Sequence, residues 1–232
     1  MKENLLSIII PTKNENETFR RLLKKLKAQT FSSFEIIVSD SSENNIVKNI
    51  CEKNKIRLTD GGLPGKARNN GALIAKNPNL LFLDADIIIS DDFIEKLLEQ
   101  LRKLDFDAAS FKFKAESKNI LLKLLHEITS NYFWLTTKLG YAHGIGGAFF
   151  VKKKTHDEIG GFDETILIAE DVEYSKRIAK KFKYKFLKNP IVKLDTRRFK
   201  KEGVLKLIFK ILFFEIHRIF LGEIRNDKIK YF

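Results

Sequence analysis

Short apolar runs alternate with amphipathic helical stretches through the first hundred residues, and this alternation constrains the fold more than any other feature. Residues 6–10, 34–38, 56–58 and 80–83 are apolar runs of strand length. An apolar helical face formed by Phe19, Leu22, Leu23 and Leu26 follows the first run, and residues 64–75 predict a helix before the last run. Residues 93–104 predict another helix after the last run. Such alternation predicts an α/β fold with a Rossmann-like, mostly parallel sheet flanked by helices.

The second half of the chain is less regular. Residues 108–113 and 148–151 predict further strands, and residues 171–181 predict a helix. No repeat or linker divides the chain before about residue 200. We therefore expect one catalytic domain over residues 1–200 and an amphipathic helical extension over residues 201–232.

Four polar residues come directly after predicted strands: Thr12, Asp40, Asp84 and Asp86. In open parallel sheets, ligands bind beyond the carboxyl ends of the strands, so these residues are expected on one rim. Asp84 and Asp86 are the pair that a hard divalent cation would use, together with phosphate oxygens of a substrate. An Asp at a strand end also makes turns, and this alternative stays open for Asp40 and for the pair.

Charged residues also stand at the starts of two predicted helices. Lys66 and Arg68 lie where cations are disfavoured by the helix dipole, which suggests an anion nearby, although two solvated surface charges explain them as well. Glu170 and Asp171 open the helix over residues 171–181. Carboxylates there can act as caps, or one of them can serve as a general base.

The charge balance restricts the class of partner. The chain has 43 Lys and Arg against 30 Asp and Glu, a formal net charge of +13. That charge favours nucleic acid, an anionic membrane surface or a phosphorylated substrate. Cys51 is the single cysteine, which excludes an intrachain disulfide and a cysteine metal cluster. The first apolar run is too short for a secretory signal, so a cytoplasmic location is expected.

Two longer apolar stretches, residues 120–139 and 204–221, raise the question of membrane contact. Lys206, Lys210, Glu215 and Arg218 interrupt the second, and a charge at mid-bilayer costs about 2.5–3.5 kcal/mol, so this stretch should not span. Its apolar and basic sides predict a helix lying in the interface of the inner membrane face. A terminal helix that packs on the core has the same pattern, and this alternative stays open.

Seven blocks, taken together and in order, resemble glycosyltransferase family 2. They are SIIIPTKNE (7–15), EIIVSDSS (35–42), GKARNNGA (65–72), FLDAD (82–86), GIGGAFF (144–150), GGFDE (160–164) and EDVE (170–173). The resemblance covers about residues 5–200 and implies a GT-A fold. It also implies an inverting, metal-dependent transferase that moves a sugar from a nucleoside-diphosphate-sugar to an acceptor hydroxyl.

The resemblance further implies a role for each matching residue. Thr12, Glu15 and Asp40 would hold the nucleoside, and Lys66 or Arg68 would approach the base or diphosphate. Asp84 would contact the ribose side, and Asp86 would ligate Mn²⁺ or Mg²⁺. Asp171 would deprotonate the acceptor, supported by Glu170. Arg197 and Arg198 resemble a basic segment that clamps the diphosphate in some members. UDP is the first expectation for the nucleotide, with GDP and dTDP left open.

Some residues depart from the family pattern, and two other functions compete. Ser41 stands where many members carry Asp or Asn, and the Gln-x-x-Arg-Trp motif of processive synthases is missing. A sugar-activating nucleotidyltransferase would have glycines after the first strand, but residues 11–15 contain none. A basic module binding membrane or nucleic acid would leave the acidic residues unexplained. We expect a glycan or lipid-linked, membrane-proximal acceptor and do not expect nucleic acid as a partner.

Overall fold

A computed structural model describes residues 6–144 and 147–196, with residues 209, 213–214, 216–218 and 220–225 of the C-terminal segment. The strands are β1 (Leu6–Thr12), β2 (Phe34–Asp40), β3 (Arg57–Asp60), β4 (Asn79–Leu83), β5 (Ile87–Ile88), β6 (Ala108–Glu116), β7 (Ala148–Lys152) and β8 (Tyr184–Asp195). The helices are α1 (Asn16–Lys27), α2 (Ile46–Lys53), α3 (Pro64–Ile74), α4 (Phe93–Lys103), α5 (Ile120–Lys138), α6 (Lys153–Glu158) and α7 (Glu170–Lys181).

The strands form one sheet in the order β3-β2-β1-β4-β7-β6-β8-β5. β1 pairs in parallel with β2 and β4, and β2 pairs in parallel with β3. β7 runs antiparallel to β4 and β6, β5 runs antiparallel to β8, and β6 and β8 are parallel. The α/β prediction is confirmed. The second half of the sheet is mixed because the chain returns to the rim at Gly147 before β7 begins, so β7 must run away from it.

Both faces of the sheet are covered, which explains the uninterrupted apolar runs. Ile8 and Ile10 belong to one core cluster, together with Phe19 of α1. Ile9 points the other way, into a second cluster with Phe82 and Tyr174. This arrangement fixes the register of β1, because a slip by one residue would exchange its two faces.

Several elements differ from the sequence-based expectation. β1 and β2 continue to Thr12 and Asp40, so both residues are the last of their strands rather than the first of a loop. β3 begins at Arg57, and α2, β5, α6 and β8 were not predicted. β8 escaped prediction because lysines interrupt its apolar pattern, and its pairing with β6 shifts register between Phe111 and Lys112.

The two longer apolar stretches are described to different extents. Residues 120–139 fall almost entirely in α5, and among the described residues no helix combines the length and apolarity needed to cross a membrane. The described residues between 209 and 221 are helical, and the Leu167 amide donates to the Ile224 carbonyl at 2.9 Å. The boundary at residue 200 stays a prediction, and Arg197 and Arg198 lie outside the described residues.

Candidate active site

The ends of β1 and β2 form one wall of a cleft at the rim of the sheet. Thr12 pairs with Asp40 in the strand register, and its Oγ1 donates to Asp40 Oδ1 at 2.8 Å. The amide and hydroxyl of Ser42 donate to the same oxygen, at 3.1 and 2.6 Å. Three donors therefore fix the Asp40 carboxylate. The turn alternative is also correct for Asp40, since its side chain closes a turn onto residue 42.

The end of β4 presents the Asp84 and Asp86 pair. Ala85 and Ile87 are buried, whereas Asp84 and Asp86 are partly exposed. Because buried and partly exposed side chains alternate here, the i, i+2 spacing brings both aspartates to the open side of the junction. The backbone here is held by two hydrogen bonds: the Asp84 amide donates to Gly147 O at 2.8 Å, and the Ile87 amide donates to Asp84 O at 3.1 Å.

α3 delivers Arg68 to the same place. The helix packs tightly on β1 at Gly71, where a side chain would clash with Ile9. Arg68 is buried, its Nη2 donates to Asp84 Oδ1 at 2.8 Å, and its Nη1 donates to Glu170 Oε1. The guanidinium carbon lies 5.4 Å from the centre of the Phe162 ring. Arg68 is therefore neither a solvated charge nor a free anion-binding group: two carboxylates already hold it.

α7 supplies the remaining two acids. It begins after Ala169, which has a positive φ of 62° and no capping side chain. The capping alternative is wrong for Glu170, whose carboxylate binds Arg68. Asp171 is buried beside it, and Gly144 packs so closely on the Asp171 backbone that a side chain there would clash with the carbonyl oxygen. Three acidic residues, Asp84, Glu170 and Asp171, thus surround one buried cation.

These elements enclose a cleft of about 490 Å³. The sequence-predicted residues on its wall are Thr12, Glu15, Arg68, Asp84, Asp86, Glu170 and Asp171. Asp40 adjoins the wall through Thr12, and Lys66 is exposed and does not line the cleft. Lys13, which sequence reasoning did not select, is an exposed cation on the wall. The only signal for it was its position directly after Thr12.

A second residue missed by sequence reasoning is Arg21. Its Nη2 donates to Asp195 Oδ2 at 2.8 Å and to the Asp86 carbonyl at 3.4 Å, so it ties the end of β8 to the aspartate junction. Arg21 lies on α1 among other basic residues of its exposed side, and nothing in that pattern distinguishes it.

The comparison with protein families is decisive. The sequence profile of glycosyl transferase family 2 matches residues 7–162, more than half of the chain. The chain belongs to glycosyltransferase family 2. The predicted resemblance is therefore confirmed.

Three relatives illustrate the range of this glycosyltransferase family. The poly(ribitol-phosphate) beta-N-acetylglucosaminyltransferase TarS of Staphylococcus aureus is 35% identical over 128 residues, which are 51% of this chain and 20% of TarS. The validoxylamine A glucosyltransferase of Streptomyces hygroscopicus is 31% identical over 40% of this chain and 23% of its own length. An uncharacterised glycosyltransferase of Haemophilus influenzae is 28% identical over 73% of this chain and 60% of its own. This chain thus spans only about a fifth of TarS.

Solved structures show the same fold. Staphylococcus aureus TarS 1–349, in complex with UDP-GlcNAc, superimposes with a TM-score of 0.67 at 21% identity, covering 83% of this chain and 59% of that one. The mannosyltransferase PcManGT of Pyrobaculum calidifontis, in complex with GDP-Man and Mn²⁺, gives a TM-score of 0.64 at 18% identity, covering 83% of this chain and 57% of that one. The GT-A fold implied by the sequence blocks is therefore confirmed.

Burial and charge repulsion shift the pKa values of two acids in the cleft away from their ordinary values. Burial, together with the neighbouring Glu170, raises the pKa of Asp171 to about 7, against the opposing effect of Arg68. Burial also raises the pKa of Asp84 to about 6, again opposed by Arg68. Burial alone would lower the pKa of Arg68, but Asp84, Glu170 and Asp171 raise it. Arg68 stays charged while Asp171 can exchange a proton near neutral pH.

Asp84 and Asp86 fit a divalent cation that a substrate completes. Within the described ranges no group of three or more His, Cys, Asp and Glu residues could hold a metal by itself. Mg²⁺ is usually bound by one or two carboxylates, with waters and substrate phosphates filling the other positions. Asp84 Oδ1 already accepts a hydrogen bond from Arg68. The partly exposed Asp86 carboxylate has no ion-pair partner among the described residues. Asp86 is the better placed of the two to ligate such a cation.

Proposed function

We propose that this chain is an inverting, metal-dependent glycosyltransferase that moves a sugar from a nucleoside-diphosphate-sugar to an acceptor hydroxyl. One observation carries the proposal: Asp171, with its raised pKa, lines the same cleft as the Asp84 and Asp86 pair. Such a cleft has a proton acceptor on one wall and a cation site for a diphosphate on another. Family membership supports the proposal, and the individual roles are inferred from the geometry.

In this proposal the nucleoside would lie along the ends of β1 and β2. Asp40 is oriented by Thr12 and Ser42, which leaves a fixed carboxylate beside the cleft to accept hydrogen bonds from a base or ribose. Glu15 lines the same wall, and Lys13 offers a positive charge toward the diphosphate. We infer UDP as the nucleotide because TarS is known with UDP-GlcNAc. GDP is the alternative, since PcManGT is known with GDP-Man.

Asp86, with Asp84 beside it, would hold Mn²⁺ or Mg²⁺ at the end of β4. A bound divalent cation would act as a Lewis acid that stabilises negative charge on the departing nucleoside diphosphate. PcManGT, with a similar fold, is known with Mn²⁺. The role of Arg68 here is to hold Asp84 in place through its 2.8 Å hydrogen bond.

Asp171 is the general base in this proposal. Its carboxylate would take the proton of the acceptor hydroxyl as that oxygen forms a bond to the anomeric carbon. The bond from that carbon to the diphosphate oxygen breaks at the same time, and the nucleoside diphosphate leaves with the electron pair. Attack from the face opposite the leaving group inverts the anomeric centre. A base works best when its pKa is near the operating pH, which describes Asp171.

The acceptor is inferred to be lipid-linked or membrane-proximal, with the protein peripheral on the inner face of the membrane. Its support is the net charge of +13 and the exposure of apolar side chains on α5 and on the described residues between 209 and 221.

The donor site can be tested by ligand-induced stabilisation. UDP, GDP, dTDP and CMP would each be added with Mn²⁺ and with EDTA while the melting temperature is followed. A ligand at about 100 times its Kd adds about 2.7 kcal/mol of stability. We expect one diphosphate to stabilise the protein only with metal. Asp86→Ala should abolish the shift, and Glu99→Ala, an exposed acid on α4, should keep it. If no nucleoside diphosphate stabilises the chain with metal, the proposed donor site is wrong.

A further inference from the structure

α5 is apolar on the side where a helix of a soluble protein is normally polar. Leu122, His126 and Ser130, spaced by four residues, are its buried positions, and the Ser130 hydroxyl accepts from the Phe113 amide of β6 at 3.2 Å. The opposite side carries large apolar residues that are at least half exposed. These six residues, called the α5 apolar face below, are Ile120, Leu121, Leu124, Ile128, Leu135 and Leu139, which directly follows the helix.

The α5 apolar face is too extensive to be incidental. The helix has 19 residues, which at about 1.5 Å per residue gives a length of about 28 Å. Tyr132 is also exposed on this side, at 55%. Monomeric soluble proteins rarely expose contiguous apolar patches of more than a few hundred Å², and larger ones mark protein or membrane contacts. We therefore expect the α5 apolar face to contact a partner that is not among the described residues.

The charges around the α5 apolar face identify the kind of partner. Lys118, Lys123 and Lys138 are exposed along and beside the helix. The only acid on α5 is Glu127, which forms an ion pair with Lys112. A cleft of about 580 Å³ at the start of the helix is lined by Lys114, Lys123 and the apolar side chains of Ile120 and Leu124. Glu116 and Glu127 also line it, and each is paired with a lysine. Apolar surface bordered by unbalanced cations matches an interface of acyl chains and anionic headgroups.

We infer that α5 lies flat on an anionic lipid bilayer, with the α5 apolar face in the acyl boundary and the lysines at the headgroups. A second copy of the chain fits less well, because two faces bordered by lysines, each on a chain of net charge +13, would repel. The described C-terminal residues do not cover the α5 apolar face either, since its six residues stay at least half exposed with those residues present.

This surface connects to the proposed acceptor site. After α5, the chain reaches the Asp171 backbone at Gly144. On the way, His143 stacks on Phe133 of α5, with ring centres 4.6 Å apart. The inference deepens the proposed function, because it gives a lipid-linked acceptor a surface next to the proposed base. The surface itself rests on exposure and charge alone, so it can hold even if the transfer chemistry is wrong.

The test is co-sedimentation of the full chain with lipid vesicles. Vesicles of phosphatidylcholine alone would be compared with vesicles containing about one third phosphatidylglycerol, at about 50 and about 500 mM salt. The double variant Ile128→Gln/Leu135→Gln removes apolar surface at exposed positions. Leu73→Gln on α3 is the matched control, since Leu73 is 81% exposed and α3 packs on β1 and β2, whereas α5 packs on β6 and β8.

We expect the wild type to sediment with anionic vesicles at low salt, the double variant to bind at least about tenfold more weakly, and Leu73→Gln to stay within about twofold. Lys118→Gln/Lys123→Gln should weaken binding to anionic vesicles and reduce its salt dependence. The inference is overturned if the wild type stays in the supernatant with both vesicle types, or if the double variant binds like the wild type.

Two further measurements separate this inference from others. Sedimentation velocity without lipid would show a dimer that the double variant dissociates, if α5 served a second copy instead; that result would overturn membrane docking. Nucleotide binding, followed by melting temperature, should be the same in the wild type and the double variant, which also verifies folding. Vesicle binding without any nucleotide binding would contradict the proposed function but would still support membrane binding by α5.

Discussion

Two charged networks lie at opposite ends of the same parallel strands, and they differ in how many donors each acid has. At the amino end, Glu35 of β2 receives hydrogen bonds from Ser7 Oγ at 2.6 Å, the Lys76 amide at 2.7 Å and Asn77 Nδ2 at 3.1 Å. Arg57 Nη1 donates to its other oxygen at 2.8 Å. One carboxylate therefore has four donors. At the carboxyl end, Asp84, Glu170 and Asp171 surround one buried cation, Arg68.

The pKa values follow from that difference. Burial would raise the pKa of Glu35, but its hydrogen bonds from Ser7, Lys76 and Arg57 lower it below the ordinary value. At the other end, burial and like charge prevail, and the pKa of Asp171 is raised to about 7. A fully satisfied acid stabilises the fold, whereas an acid in excess of its partners is available to bind a cation or take a proton. The two ends are thus expected to respond differently to the same substitution.

The largest effect is expected for Asp171→Asn. The amide keeps the size of the side chain but cannot accept the acceptor proton, so kcat/KM for sugar transfer should fall by about 10²–10⁴. Stability at pH 7 should be equal or higher, since a buried acid in an acidic cluster is removed. The assay is transfer from the donor that the nucleotide panel identifies, with Glu35→Gln as the control that keeps its activity. Transfer within threefold of the wild type would exclude Asp171 as the base.

Next in size is the loss of stability in Arg68→Met. The substitution leaves the buried Glu170 and the partly exposed Asp84 without their shared partner, and breaking a buried ion pair in this way costs about 3–5 kcal/mol. The matched control is Arg57→Met in the Glu35 network, whose side chain is 37% exposed and should cost about 1 kcal/mol or less. Urea unfolding at pH 7 measures both. Equal losses would mean that the two networks depend equally on their arginines.

The third prediction concerns the pH dependence of stability. Because the pKa of Asp171 is raised in the folded state, the native protein holds more protons than the unfolded one between the ordinary value of 3.8 and about 7. Stability should therefore fall as pH rises through that window, by up to about 1.4 kcal/mol per unit from this group. In Asp171→Asn this decline should be smaller. Parallel stability profiles of the two proteins would contradict the raised pKa.

The two ends also differ in how far the sequence predicts them. Strand-end positions were enough to group Thr12, Asp40, Asp84 and Asp86, because parallel strands bring their carboxyl ends to one rim. The partners of Arg68 were not predictable: Glu170 is 102 residues away, and no local pattern specifies that contact. For the same reason Lys66 and Arg68 looked equivalent in the sequence, although one is exposed and the other buried.

The Glu35 network went unrecognised for a related reason. Ser7, Glu35 and Asn77 are single polar residues beside apolar runs, and only the register of β1 with β2 brings Ser7 opposite Glu35. The α5 apolar face is the opposite case, because its residues could be recognised but their orientation could not. Its apolar residues were visible in the sequence, but periodicity could not decide which side of so apolar a helix faces the sheet, and the packing of His126 and Ser130 decided it.

The smallest expected effect comes from Glu35→Gln. The amide keeps the shape and one acceptor oxygen but loses the charge that strengthens four hydrogen bonds, so stability at pH 7 should fall by about 1.5–3 kcal/mol without loss of activity. Since the pKa of Glu35 is lowered in the folded state, its contribution is fully present above its ordinary value of 4.5 and is lost as pH falls through the folded value. The difference between wild type and variant should therefore shrink on acidification, opposite in sign to Asp171. Urea unfolding from pH 3 to 7 measures it, and a difference that grows in acid would remove the contrast between the two ends of the sheet.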